Sequence, residues 1–153
     1  LASSTSYTQR TLAALRERGG TPDIVERFLS HAGPHGVHKD LFGLFDIIAL
    51  FPFREPGRRL VGAQSTGPNG YSEHMRTFVE SKHIDTWLSC GGAAELWCWQ
   101  LKPQAEGSKV LEWQPRIIDI TPGLLVVERL KPRKPRPEKA RKDPGIPVYT
   151  LPT

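Results

Sequence analysis

Leu41-Phe42-Gly43-Leu44-Phe45-Asp46-Ile47-Ile48-Ala49-Leu50 is apolar except for Asp46. It reads as a strand entering a core, with its first residues in a turn at Gly43. Pro52 to Arg59 reads as a turn carrying Arg54, Arg58 and Arg59. Leu60-Val61-Gly62-Ala63-Gln64-Ser65-Thr66 then reads as a second strand, antiparallel to the first across that turn. Each strand holds one polar group in an apolar setting, Asp46 and Gln64. A carboxylate in such a place is costly unless it is paired, hydrogen-bonded or holding a cation.

Working outward, Thr8 to Arg18 reads as a helix with Leu12 and Leu15 on one face, ended by Gly19-Gly20. Thr21-Pro22 resembles a helix start, so a short second helix is expected to about Ser30, with Glu26 on it. His31 to His38 reads as a loop. Ser72 to Leu88 is expected to be the longest helix. Ala93 to Leu101 alternates, Glu95, Trp97 and Trp99 on one side and Leu96 and Cys98 on the other, as a strand does. Core packing is the expected role of those tryptophans. Val110 to Ile120 is expected to be a strand that Pro115 places at an edge or interrupts. Leu124 to Leu130 is expected to be a last short strand. The fold class is thus α/β or α+β, a small mixed β-sheet flanked by helices. Residues 1–130 form the domain, and 131–153 a basic, proline-rich C-terminal arm.

The 153 residues carry 21 basic and 16 acidic side chains. Eight of the basic ones lie between Arg129 and Lys142, against Glu138 alone. The basic character therefore belongs to a tail, whose prolines favour extended chain. Such a tail suits phosphate backbones, whose neutralisation releases counterions. Arg129, Lys131, Arg133, Lys134 and Arg136 are the expected tail contacts, with Arg54, Arg58, Arg59 and His38 closer to the domain. No stretch is long enough to span a bilayer. Leu1 to Arg10 shows no signal-peptide pattern and only 2 Cys are present, so a cytoplasmic protein is expected.

If the two strands form a hairpin, Asp46 and Gln64 come near each other. A carboxylate and an amide carbonyl suit a hard divalent cation such as Mg2+ or Mn2+. Glu26 and Asp40 are the next candidates to hold that cation. Lys39 and Lys82 are the candidates for a positive charge beside a phosphodiester. His31, His35 and His38 are too loosely spaced for a convincing zinc site, and His74 and His83 are expected on a helix surface.

These residues resemble the PD-(D/E)XK nuclease superfamily, the restriction-endonuclease-like fold. The closest likeness is to small phage or prophage Holliday junction resolvase-like proteins. In that family an acid sits on a helix, an Asp on the first hairpin strand, and an acid-x-Lys motif on the next. Glu26, Asp46 and Gln64-Ser65-Thr66 fall at those positions, with Gln and Thr replacing the acid and the lysine. A Gly-Gly…Glu-Leu-Trp…Trp segment follows at Gly91 to Trp99. The resemblance spans roughly Thr8 to Ile120. It implies a metal-dependent DNA endonuclease acting on branched DNA, with Glu26, Asp46, Gln64 and Lys39 in catalysis. It also implies a two-fold homodimer in a bacterial or phage-infected cell. The alternative is a catalytically inactive nuclease-fold protein kept for DNA binding.

Overall fold

The computed structural model describes residues 5–52 and 60–135. The turn arginines Arg54, Arg58 and Arg59, and Arg136 of the tail, lie outside those residues. Helix α1 (Tyr7–Glu17) starts at Ser6, whose side chain accepts the Gln9 N–H, and buries Thr11, Leu12 and Leu15. Strands β1 (Thr21–Ile24), β4 (Ile47–Leu50), β5 (Leu60–Thr66), β6 (Ala93–Pro103) and β7 (Leu111–Asp119) form one sheet in that spatial order. Between β1 and β4, β2 (Arg27–Leu29) and β3 (Val37–Lys39) pair into a separate two-stranded ribbon. Helices α2 (Tyr71–Glu80) and α3 (Ile84–Ser89) connect β5 to β6, and α4 (Pro122–Leu130) follows β7.

The sheet is mixed: β5 and β6 run parallel and every other neighbouring pair is antiparallel. A parallel pair needs a crossover, which α2 and α3 supply. Side-chain alternation gives the sheet two cores. On one face Leu12 and Leu15 of α1 pack on Ile47, Ala49, Val61, Ala63, Trp97 and Trp99. On the other, Met75, Phe78, Val79, Ile84 and Leu125 pack on Leu44, Phe45, Leu96 and Cys98. The expected small mixed sheet flanked by helices is therefore present, and Trp97 and Trp99 are core residues.

Three local expectations are overturned. Residues 21–30 are not a helix. Thr21 and Pro22 pair with Leu50 and Ala49 at the sheet edge, where a proline's missing donor is tolerated. Glu26 consequently lies between β1 and β2, not on a helix. The Ser72 to Leu88 segment is two helices, broken where Ser81 turns extended and its hydroxyl takes the His83 N–H. The break lets Ile84 turn fully into the core. Leu124 to Leu130 is helical, because Thr121 caps the Leu124 N–H and Pro122 occupies the first turn. Strand β7 meets its expectation: it is an edge strand, and Pro115 sits opposite Trp99 without ending it.

Candidate functional site

The β4–β5 register pairs Ile47 with Ala63. Asp46 is a bend residue directly before β4, and its N–H also donates to Ala63 O, at 3.2 Å. Opposed residues share a face. Gln64 pairs with Leu96, which faces α2, and Asp46 reaches the same stretch of β5 at Ser65. Both are buried. Asp46 Oδ1 accepts the Ser65 N–H at 3.2 Å.

The chain reaches Asp46 through a tight reversal. Leu41 bridges to Phe45, with Phe42 and Gly43 at φ 57° and 68°. Two successive left-handed residues close such a turn, and the second is the glycine that tolerates it best. The turn brings Asp40 and the Leu44 carbonyl to Gln64. One end of the Gln64 amide lies 2.6 Å from Leu44 O and 3.1 Å from Asp40 Oδ2. With its nitrogen there, the amide donates to both. Phe45 backs the turn. A Cβ on Gly62 would come within 2.7 Å of the Phe45 ring, so only glycine leaves that ring its place.

The ribbon adds the remaining carboxylate. Its register pairs Arg27 with Lys39 and Phe28 with His38. Continued one step towards the domain, it sets Glu26 opposite Asp40. Glu26 Oε1 lies 3.3 Å from His38 Nδ1. Opposed like charges destabilise a strand pair. The foot of the ribbon therefore carries two such pairs of opposite sign, Glu26/Asp40 on one face and Arg27/Lys39 on the other.

The electrostatics follow from this crowding. Burial first, then the neighbouring Asp40 and Glu26, push the Asp46 carboxyl up to about 7. The Ser65 N–H and the Asp46 backbone pull the other way without prevailing. Asp40 is raised by burial and by Glu26, while His74 and His38 lower it. His74 is half-buried, and that burial holds its imidazole below the ordinary range against the pull of Glu73 and Asp40. Three carboxylates on one patch repel each other, and a cation or a proton relieves the repulsion.

Of the residues singled out from sequence, Glu26, Asp40, Asp46, Gln64 and His38 are thus brought together. Lys39 is not. It follows His38 on β3, so its side chain leaves the opposite face of the ribbon. Lys82 sits in the exposed link between α2 and α3. His74, expected on a helix surface, is half-buried at the border of the stripe that Met75, Phe78 and Val79 bury. The signal was there: His74 lies three residues after Tyr71 and four before Phe78, both core-facing positions. Arg116 was also missed. It stands level with Cys98 and Thr66 across the sheet, and its guanidinium lies 4.8 Å from the Tyr71 ring centre at the start of α2. Nothing in β7 alone announces that reach.

The basic tail begins differently from the expected free arm. Arg129 makes two hydrogen bonds to Asp85, at 3.1 and 2.7 Å. Lys131 bonds to Glu128, and Arg133 donates to the Glu128 carbonyl at 3.1 Å. These three cations thus have partners within the domain while Arg129 and Lys131 keep part of their side chains exposed. Lys134 is exposed. The two cysteines are free thiols, Cys90 exposed and Cys98 buried.

Among the described residues, no three His, Cys, Asp or Glu side chains cluster tightly enough to form a metal site by themselves. No helix among them is long and apolar enough to cross a membrane. No protein-family model matches the chain, and no curated protein or solved structure does either.

Proposed function

We propose that this chain is a divalent-cation-dependent nuclease that hydrolyses phosphodiester bonds in DNA, on a restriction-endonuclease-like scaffold. The observation that carries the reading is the pair of buried groups Asp46 and Gln64 on adjoining segments, Asp46 held by the Ser65 N–H, with Asp40 Oδ2 and Leu44 O converging on the Gln64 amide. The element order supports it too. An Asp-bearing strand, an antiparallel partner carrying Gln-x-Thr, helices and a parallel strand succeed one another as the resemblance implies.

The donor set fits a hard cation, because its oxygens come from carboxylates, an amide and a backbone carbonyl. Asp46, Asp40, Gln64 through its carbonyl end, and Leu44 O would hold Mg2+ or Mn2+, with Glu26 at the rim. The cation would supply charge to offset the phosphoryl oxygens and would activate water. The chain's own groups do the rest. The Ser65 N–H fixes one oxygen of Asp46, which leaves the other free to face the site. Gln64 turns either end of its amide to Leu44 O and Asp40. Its nitrogen satisfies them without a cation, and its oxygen would join them around one. His74 is positioned to exchange a proton at the edge of the carboxylate patch. Arg116 is the candidate phosphate contact in place of the missing lysine.

One observation favours a second reading, a catalytically inactive DNA-binding protein. Thr66 replaces the lysine, and neither Lys39 nor Lys82 reaches the carboxylates. Incubating wild type and Asp46→Ala with linear duplex, single-stranded and four-way-junction DNA separates the two. Cleavage that needs Mg2+ or Mn2+ and disappears in Asp46→Ala supports the nuclease. Binding without cleavage, unchanged by Asp46→Ala, supports the second reading. Sedimentation on a four-way junction tests the two-fold dimer that paired cleavage implies.

A further inference from the structure

The β2–β3 ribbon projects from the sheet at the carboxylates, and all six of its strand residues are exposed. From Arg27 to Lys39 it holds no carboxylate, and it carries Arg27, Lys39, His31, His35 and His38. A two-stranded ribbon has little stability of its own. This one also sets Arg27 directly opposite Lys39, a pairing that costs stability unless an anion shares it.

Its two faces differ. Register and alternation put Phe28 and His38 on the same face as Glu26 and Asp40. Phe28 is 56% exposed. Its ring centre lies 5.0 Å from that of His38. Gly36 lies so close beneath that a Cβ there would come within 2.3 Å of the ring. That contact involves the Cζ and Cε2 atoms of the ring, and more than half of Phe28 stays open to solvent. Two residues along a strand advance roughly 7 Å, so the ring stands one such step out from the Glu26/Asp40 pair.

We infer that the Phe28–His38 face of the ribbon is a stacking platform for an unpaired base beside the carboxylate site, so the preferred ligand is nucleic acid with single-stranded nucleotides. The inference rests on the nuclease reading for the identity of the neighbouring site. A base within a continuous duplex keeps its π-face stacked on its neighbours, whereas an unpaired base offers that face to an aromatic ring.

The test uses the full chain and two labelled probes, a thymine-only single strand and a fully paired duplex. Affinity is read by fluorescence anisotropy in chelator for wild type, Phe28→Ala and Phe28→Trp. Phe28→Ala is expected to weaken single-strand binding about 10-fold, with duplex affinity changed less than about twofold. Phe28→Trp is expected to restore single-strand binding. Single-strand affinity unchanged in Phe28→Ala overturns the inference, as does an equal loss on both probes or no binding of either. A change in sedimentation without a change in single-strand affinity assigns the ribbon to a protein contact and also overturns it. Cleavage is followed in parallel with Mn2+. Phe28-dependent single-strand binding without any cleavage upholds the platform and removes the nuclease. Asp46-dependent cleavage with affinity indifferent to Phe28 does the reverse.

Discussion

Asp46 Oδ1 accepts the N–H of Ser65 at 3.2 Å, which holds its carboxylate beside the neighbouring Gln64, buried like it. A carboxylate is thereby held next to an amide that other oxygens already surround. The amide nitrogen satisfies those oxygens, whereas the Asp46 carboxylate, buried near Asp40 and Glu26, favours a proton.

The first consequence is a pH-dependent stability. The Asp46 pKa is raised from 3.8 to about 7 in the folded chain. A raised carboxyl binds its proton more tightly in the folded state. Its stabilising share is full below pH 4 and is lost as pH rises through 7. Asp46→Asn is therefore expected to be more stable than wild type at pH 8 without divalent cations, by up to about 4 kcal/mol. The difference shrinks towards pH 4. Urea unfolding at both pH values checks this, and Mg2+ or Mn2+ is expected to stabilise wild type more than the variant.

Gln64→Glu would replace a donor facing Leu44 O and Asp40 with a further carboxylate. Without cation, the variant is expected to unfold about 1–3 kcal/mol more readily at pH 8, the cost of a buried unsatisfied group. With millimolar Mn2+ the deficit is expected to close. Thermal melts with and without the metal decide it, and a deficit that Mn2+ leaves unchanged argues against oxygen ligation at this position.

Gly62→Ala places a methyl against the Phe45 ring. Phe45 cannot retreat easily, because the Trp87 ring lies 4.8 Å and the Phe78 ring 5.9 Å away between centres. Overpacking of this kind costs about 1–3 kcal/mol. Leu44 moves with Phe45, so any cleavage activity is expected to fall more steeply than stability. Activity and urea midpoint measured on the same preparation test the pairing.

On the opposite face, Arg18 makes paired hydrogen bonds to the fully buried Glu95 at 3.0 and 3.2 Å, and Trp97 Nε1 donates to the same carboxylate at 2.9 Å. Arg18→Ala removes the cation and strands much of that charge. A loss of about 3–5 kcal/mol is expected. Glu95→Gln in the same background is expected to recover part of it, as read by denaturant unfolding.

The hairpin was legible because Asp46 and Gln64 interrupt otherwise apolar strands, a local signal with a two-residue period. Other elements depended on context that the sequence does not carry. Thr-Pro opens both β1 at Thr21 and α4 at Thr121. Near Thr21, a free sheet edge beside β4 captured the chain into a strand. Near Thr121, the hydroxyl caps Leu124 and Leu125 packs inward, so Val126 and Val127 become exposed helix positions despite their strand preference. Glu26 kept its place at the site although its element was misread, because ribbon register, not helical phase, delivers it. The convergence of Leu44 O on Gln64 was invisible, since it depends on the left-handed turn at Phe42-Gly43.

The ribbon leaves the domain at Glu26 and returns at Asp40, opposite one another in its continued register. Everything between them is an excursion whose ends coincide with the carboxylate patch. Its tip can therefore lengthen, shorten or be exchanged for another sequence while both carboxylates stay anchored in the β1 and β4 connections. For protein engineering this makes the segment a replaceable cassette. New loops grafted between those two residues would arrive already aimed at the carboxylate patch, without redesign of the sheet beneath.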